Sequence, residues 1–203
     1  LNWICENLKK GETFMDVGAN IGEFSLIAKK ISGNSGKLIS LEPRKKTFRK
    51  IRLLMQVNGI SSNLFLFRYA ASDHNGTSYL RGNRKHAPSF GKSKLAIKPK
   101  NGWTLNGYMK YEKINVIQID DLISRKNLPI PNLIKIDVEG HEIEVLGGMH
   151  SLLENKELKG LLIETTIEKG EIVVDILKQF QFYDKDWLKL PNKKSPGYLA
   201  FKR

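Results

Sequence analysis

Two short stretches put carboxylates and glycines where a ligand could be met: Phe14-Met15-Asp16-Val17-Gly18-Ala19-Asn20-Ile21-Gly22 and Ile134-Lys135-Ile136-Asp137-Val138-Glu139-Gly140. Each is an apolar run that ends in an acid and then a glycine. A buried parallel strand followed by a ligand-facing turn reads this way. Gly18 and Gly22 remove side chains where a loop must let a ligand approach the main chain. A helix beginning near Ile21 would aim its free N–H groups and positive dipole end at that ligand. Asp16, at the strand tip, adds a negative charge that suits a cationic group better than a phosphate.

The spacing narrows the choice of nucleotide. A dinucleotide fingerprint needs three glycines, where this chain has Gly18, Asn20 and Glu23. The phosphate loop Gly-x-x-x-x-Gly-Lys-Ser/Thr is absent. The run Lys37–Leu41 ends in Glu42-Pro43, where an acid at a strand tip would hold a ribose diol. Asp16, the turn bearing Gly18, Asn20 and Gly22, and Glu42 together suit S-adenosylmethionine. Taken singly, a glycine turn is only a turn and a strand-end Glu only a solvated terminus. The ordered set is what points to the cofactor.

The motifs Asp-Val-Gly-Ala-Asn-Ile-Gly, Leu-Glu-Pro, Ala70-Ala71-Ser72-Asp73 with Gly76, and Ile-Asp-Val-Glu-Gly-His-Glu occur in that order. In this the chain resembles the FkbM family of S-adenosylmethionine-dependent methyltransferases, from about Lys10 to Thr165. The resemblance implies a class I methyltransferase fold and methylation of a hydroxyl on a sugar, polyketide or related small molecule. It also implies that the third strand's tip touches the adenine edge or ribose, through Ala71 or Ser72, with Asp73 left open. Pro43 joins the cofactor set beside Glu42. An Asx turn into His74-Asn75-Gly76 is the plainer reading of the same residues.

The elements that must position these residues alternate. A short helix over Leu1–Leu8 precedes a strand at Thr13–Val17 and a helix at Ile21–Ile31. Next come a strand at Lys37–Leu41, a helix at Lys45–Val57 and a strand at Asn63–Ala70. After two extended pieces at Thr77–Leu80 and Ile114–Ile119, a helix starts near Asp120. A strand at Leu133–Val138 leads to one helix reaching about Asn155, then a strand at Gly160–Glu164 and a helix through Ile172 and Phe180. Phe182–Leu190 and Tyr198–Lys202 read as an antiparallel pair. The expected fold is α/β: a three-layer Rossmann-like sheet, mostly parallel, with an antiparallel C-terminal hairpin strand.

At 203 residues the chain is one domain's worth, 1–203, with a basic loop insertion at about 81–113. A single cysteine, Cys5, excludes a disulfide framework and a cysteine zinc cage, and no apolar run is long enough for a membrane span. A cytoplasmic location is the expectation. The chain starts at Leu1 rather than Met, so a preceding segment, including an anchor, is left open. The net charge is +13, and the segment from Arg81 to Lys113 carries nine Lys/Arg against the single acid Glu112. Such a charge attracts anionic partners: nucleic acid, an acidic glycan, a phospholipid surface or a phosphorylated substrate. It also serves solubility alone. Trp103, Tyr108 and Tyr111 sit among these cations, where they could stack on sugars or bases or pin the loop to the body.

Methyl transfer to a hydroxyl needs the acceptor held in line and its proton removed. Glu139 and His141 follow the second acidic tip and are the candidate bases, with Asp137 holding the cofactor's methionine end. Each also has a plain reading at a helix N-terminus. Asp137, Glu139, His141 and Glu164 are oxygen and nitrogen ligand types, but their spacing is no recognised metal signature, so no required metal is expected. The favoured acceptor is a hydroxyl of a carbohydrate or small metabolite. An RNA methyltransferase using the basic loop is the alternative, although the Pro-Pro motif of base N-methylation is missing after Asp137. A non-catalytic cofactor-binding protein is the third reading.

Overall fold

The computed structural model describes residues 1–83, 95–96, 109–189 and 196–203. Its helices are α1 (Asn2–Asn7), α2 (Glu23–Ser32), α3 (Lys45–Val57), α4 (Ile119–Lys126), α5 (Glu142–Gly147), α6 (His150–Glu154) and α7 (Ile167–Gln179). Its strands are β1 (Thr13–Val17), β2 (Lys37–Leu41), β3 (Leu64–Phe67), β4 (Tyr69–Ala71), β5 (Gly76–Asn83), β6 (Leu95–Ala96), β7 (Met109–Ile117), β8 (Leu133–Ile136), β9 (Gly160–Thr165), β10 (Asp184–Lys189) and β11 (Gly197–Lys202).

Seven strands form the main sheet in the order β10-β11-β9-β8-β1-β2-β3. Neighbours from β9 to β3 pair in parallel, β11 runs antiparallel to β9, and β10 antiparallel to β11. Alternation along the strands splits the core in two. Phe14, Leu38, Leu133 and Leu162 pack with Trp3 and Ile4 of α1, Ala28 of α2, and Ile51 and Met55 of α3. Met15, Ile39, Ile134 and Ile163 turn to the other side, against apolar residues of α4 to α7. Both faces are covered, which is why the central strands read as nearly continuous apolar runs.

Four expectations need correction. The segment expected as one strand at Asn63–Ala70 is two, because the ladder leaves the main sheet at Arg68. β3 pairs with β2, whereas β4 pairs with β7. The stretch expected as a loop with two short extended flanks is partly a long ribbon. β5 and β7 pair antiparallel from Gly76↔Val116 to Asn83↔Met109, and with β4 and β6 they form a second sheet. Most of the remaining basic stretch, with Trp103 and Tyr108, lies outside the described residues. α2 begins at Glu23, because Gly22 is left-handed (φ 89°) and forms the cap position.

The helix expected to run to Asn155 is broken into α5 and α6. Gly147-Gly148 weakens it there. The Asp120 carboxylate then captures the N–H groups of Ser151 and Leu152 at 2.8 and 3.0 Å, starting a new helix. Gly148 also abuts the turn after β4: a Cβ on it would lie 1.9 Å from the Ser72 carbonyl oxygen. Gly148→Ala must therefore push this turn away. Its expected cost is about 1–3 kcal/mol in urea unfolding, as for other overpacked sites. An unchanged midpoint would show that the contact yields freely.

Candidate functional site

The carboxyl ends of β2, β1, β8 and β9, four neighbours in the sheet, each bring an acid: Glu42, Asp16, Asp137 and Glu164. Asp16 is fully buried. Its Oδ2 accepts the Ser25 hydroxyl at 2.6 Å, and Ser25 Oγ lies 2.8 Å from Ser40 Oγ. Ser40 and Lys135 flank Asp16 in the strand registers, so the three side chains share one face beneath α2. The Lys135 ammonium, 2% exposed, donates to Asp137 Oδ2 at 2.9 Å and lies 3.7 Å from Asp16 Oδ1. It also sits 4.6 Å above the Phe24 ring centroid.

Burial alone would drive the Lys135 ammonium toward neutrality, but Asp16 and Asp137 together hold its pKa above the usual lysine range. Burial pushes the Asp16 carboxyl up, with Lys135 and Ser25 opposing. Burial would raise Asp137 as well, yet Lys135 and hydrogen bonds from Glu164 and Tyr198 keep it below the usual range. Glu164 takes the opposite direction. Burial, then the Asp137 carboxylate beside it, push its pKa up to about 8. At neutral pH Glu164 therefore carries a proton and Asp137 carries the charge. Tyr198, from β11, donates to Asp137 Oδ2 at 3.4 Å, and burial and these carboxylates raise its own pKa.

The glycine turn is shaped by its neighbours. A Cβ on Gly18 would fall 2.0 Å from the Asp137 carbonyl oxygen, so this turn and the one after β8 touch main chain to main chain. Gly22 would press against Ile51 of α3. Between them the Asn20 N–H donates to Glu42 Oε2 at 3.0 Å, while Glu42 Oε1 accepts from the Arg44 N–H at 2.9 Å. Glu42 thus locks the turn after β1 to the start of α3, with Pro43 between its own position and Arg44. Burial pushes its carboxyl up to about 7 against these two N–H groups. No side chain caps α2.

A second group ties the turn after β4 to α5. Ala71 and Ser72 are buried. Ser72 Oγ lies 3.0 Å from Asp73 Oδ1 and 2.9 Å from His141 Nε2. His141 Nδ1 lies 3.5 Å from Glu144 Oε2. Burial lowers the His141 pKa, with Glu144 and Asp73 opposing, so the ring is neutral at pH 7. One hydroxyl proton cannot serve both Asp73 and His141. Whichever way the bond is donated, His141 Nε2 is taken up by Ser72. Glu139 sits in the turn after β8 in a left-handed conformation (φ 56°), followed by Gly140 at φ 95°. The Gly140 N–H donates to Glu142 Oε1 at 2.7 Å, and Lys169 donates to the Gly140 carbonyl.

The structure thus brings Asp16, Asp137 and Glu164 into one cluster around Lys135, and places Gly18, Asn20 and Glu42 in one hydrogen-bonded loop pair. Sequence reasoning missed Lys135, Ser25, Ser40 and Tyr198. For Lys135 a signal existed: a lysine inside an apolar strand must find a buried partner. For Tyr198 there was none, because the hairpin that delivers it is distant in sequence. Among the described residues, no group of three His, Cys, Asp or Glu is placed to hold a metal ion.

The chain and its fold have known counterparts. The model of the methyltransferase FkbM domain matches residues 16–189. A hexuronic acid methyltransferase, AglP, from Haloferax volcanii is 29% identical over 152 residues, covering 75% of this chain and 56% of that protein. The crystal structure of methyltransferase FkbM from Methylobacillus flagellatus KT superposes with a TM-score of 0.65 at 18% identity, over 94% of this chain and 43% of that one. This chain spans about half the length of both relatives. Aeropyrum pernix fibrillarin, solved with natively bound S-adenosyl-L-methionine, shares the fold at a TM-score of 0.58 and 12% identity, over 97% of this chain and 68% of that one.

Lys135→Met would leave Asp16 and Asp137 facing each other with no cation between them. The expected loss is about 3–5 kcal/mol in urea unfolding. Adding Asp16→Asn should restore part of it. A single variant as stable as wild type would mean that the ammonium is not what neutralises the cluster.

Proposed function

Since the chain belongs to the FkbM methyltransferase family, we propose that it is an S-adenosylmethionine-dependent O-methyltransferase whose acceptor is a hydroxyl of a carbohydrate or related small metabolite, an anionic one in particular. The observation that carries this reading is the row of four acids at neighbouring strand ends, held by one lysine and one retained proton. Such a crevice favours a ligand with positive charge. Among the described residues the buried Asp16 Oδ1 accepts no hydrogen bond and faces the Lys135 ammonium 3.7 Å away. When bound, the cofactor supplies an electrophilic methyl carbon on a positively charged sulfur.

In this reading Glu42 accepts the ribose hydroxyls, Asp137 receives the ammonium of the methionine end, and Gly18, Asn20 and Gly22 shape the turn that runs beneath it. Pro43, Ala71 and Ser72 border the nucleoside. Glu139 takes the acceptor's proton. Glu164 is unsuited to that role, because at neutral pH it already carries one. His141, neutral and bound through Nε2 to Ser72, positions the turn after β8 against the turn after β4. The acidic sugar for which the Haloferax volcanii relative is named and the net charge of +13 both support an anionic acceptor.

Two variants separate binding from chemistry. Glu42→Ala should weaken S-adenosylmethionine binding by about 1–3 kcal/mol, as for other lost bonds to a charged group. In wild type, affinity should rise as pH passes 7, because the ionised Glu42 carboxylate is the better acceptor for hydroxyls. Glu139→Gln should leave cofactor affinity unchanged and lower turnover on a hexuronate acceptor by about 10²–10⁴-fold. Wild-type affinity in Glu42→Ala, or wild-type turnover in Glu139→Gln, would remove that residue from its role.

A further inference from the structure

The outward face of α3 combines exposed cations with exposed apolar side chains. Ile51 and Met55 anchor the helix in the core. Its five cations, Lys45, Lys46, Arg49, Lys50 and Arg52, are exposed, and the helix carries no acid. Opposite the buried stripe stands Leu53, 60% exposed, with Val57 one turn on at 69%. On a helical wheel Lys46, Arg49, Lys50 and Val57 all fall within roughly 60° of Leu53. Two large apolar side chains therefore project on the same side of the helix as these cations and follow them along the axis, with Val57 at the last residue of α3. Among the described residues, none of these cations forms an ion pair.

We propose that this face docks on an anionic lipid surface, with Leu53 and Val57 entering the headgroup layer and Lys46, Arg49 and Lys50 meeting lipid phosphates. A basic surface with two exposed apolar side chains beside it suits anionic headgroups and shallow apolar insertion. A nucleic acid backbone would satisfy the cations but would leave Leu53 in water. A protein partner would bury the apolar pair but needs no such excess of charge. No helix among the described residues is long and apolar enough to cross a membrane, so this contact is peripheral. Its consequence is orientation. α3 starts three residues after Glu42, so docking would hold that end of the crevice close to the bilayer and to acceptors presented there.

The test is co-sedimentation with vesicles of phosphatidylcholine mixed with phosphatidylglycerol, and with vesicles of phosphatidylcholine alone. The protein should pellet with the first and not the second, and high salt should weaken the effect. Lys46→Glu/Arg49→Glu/Lys50→Glu should weaken binding by at least about tenfold, and Leu53→Ser/Val57→Ser by about tenfold with the charge intact. All five side chains face solvent, so thermal unfolding should stay at the wild-type midpoint in both variants. Three outcomes would overturn the proposal. One is no pelleting with anionic vesicles. Another is undiminished binding in Leu53→Ser/Val57→Ser, which marks a purely electrostatic site. The last is retention of single-stranded RNA through the same cations without vesicle binding.

Discussion

The site rests on one buried ammonium. Lys135 stands between Asp16 and Asp137 on adjacent parallel strands, and its charge lets the fully buried Asp16 and the partly buried Asp137 sit side by side. Removing two such charges from water is costly, and only close pairing offsets the cost. The third acid, Glu164, has no second cation to face and keeps its proton instead. The cluster therefore has a graded charge distribution: negative at Asp137, positive at Lys135 and neutral at Glu164, with the Asp16 carboxyl pushed up by burial against the pull of Lys135. Ser25 and Phe24 on α2, with Ser40 on β2, complete the cage. The α/β layering is what brings these groups together beneath the first turn of α2.

Around that cluster the loops are tied by side chains. Glu42 holds the turn after β1 through Asn20 and the start of α3 through Arg44. His141 and Ser72 join the turn after β8 to the turn after β4. At Gly18 and at Gly148 two main chains meet with no room for a Cβ. A crevice assembled in this way is preorganised, because its walls do not have to be ordered by the ligand. The second sheet reaches the same region. Glu112 on β7 accepts the Lys45 N–H at 2.9 Å, linking the ribbon to the first residue of α3.

Much of this was legible in the sequence, for physical reasons. β1, β2 and α3 fall at the residues expected, since Gly11, the Gly33–Gly36 turn and Asn58-Gly59 punctuate uninterrupted apolar periods. Placing Asp16, Glu42 and Asp137 at the strand ends followed from the same runs. What was not legible depends on contacts between distant segments. The division at Arg68 is set by which strand pairs next, not by any residue near it. The break at Gly148 is enforced by Asp120, 28 positions upstream. α7 begins at Ile167 rather than at its first apolar repeat, because Thr166 caps it. Lys135 was hidden inside a run read for its hydrophobicity, and Tyr198 arrives from the far end of the chain.

The central claim is that this crevice is built for a cationic nucleoside, and calorimetric titration of the folded protein with S-adenosylmethionine tests it most directly, with NAD and ATP as controls. The account predicts saturable binding in the micromolar range for S-adenosylmethionine and none for the other two. No heat with S-adenosylmethionine, or equal binding of NAD or ATP, would contradict it.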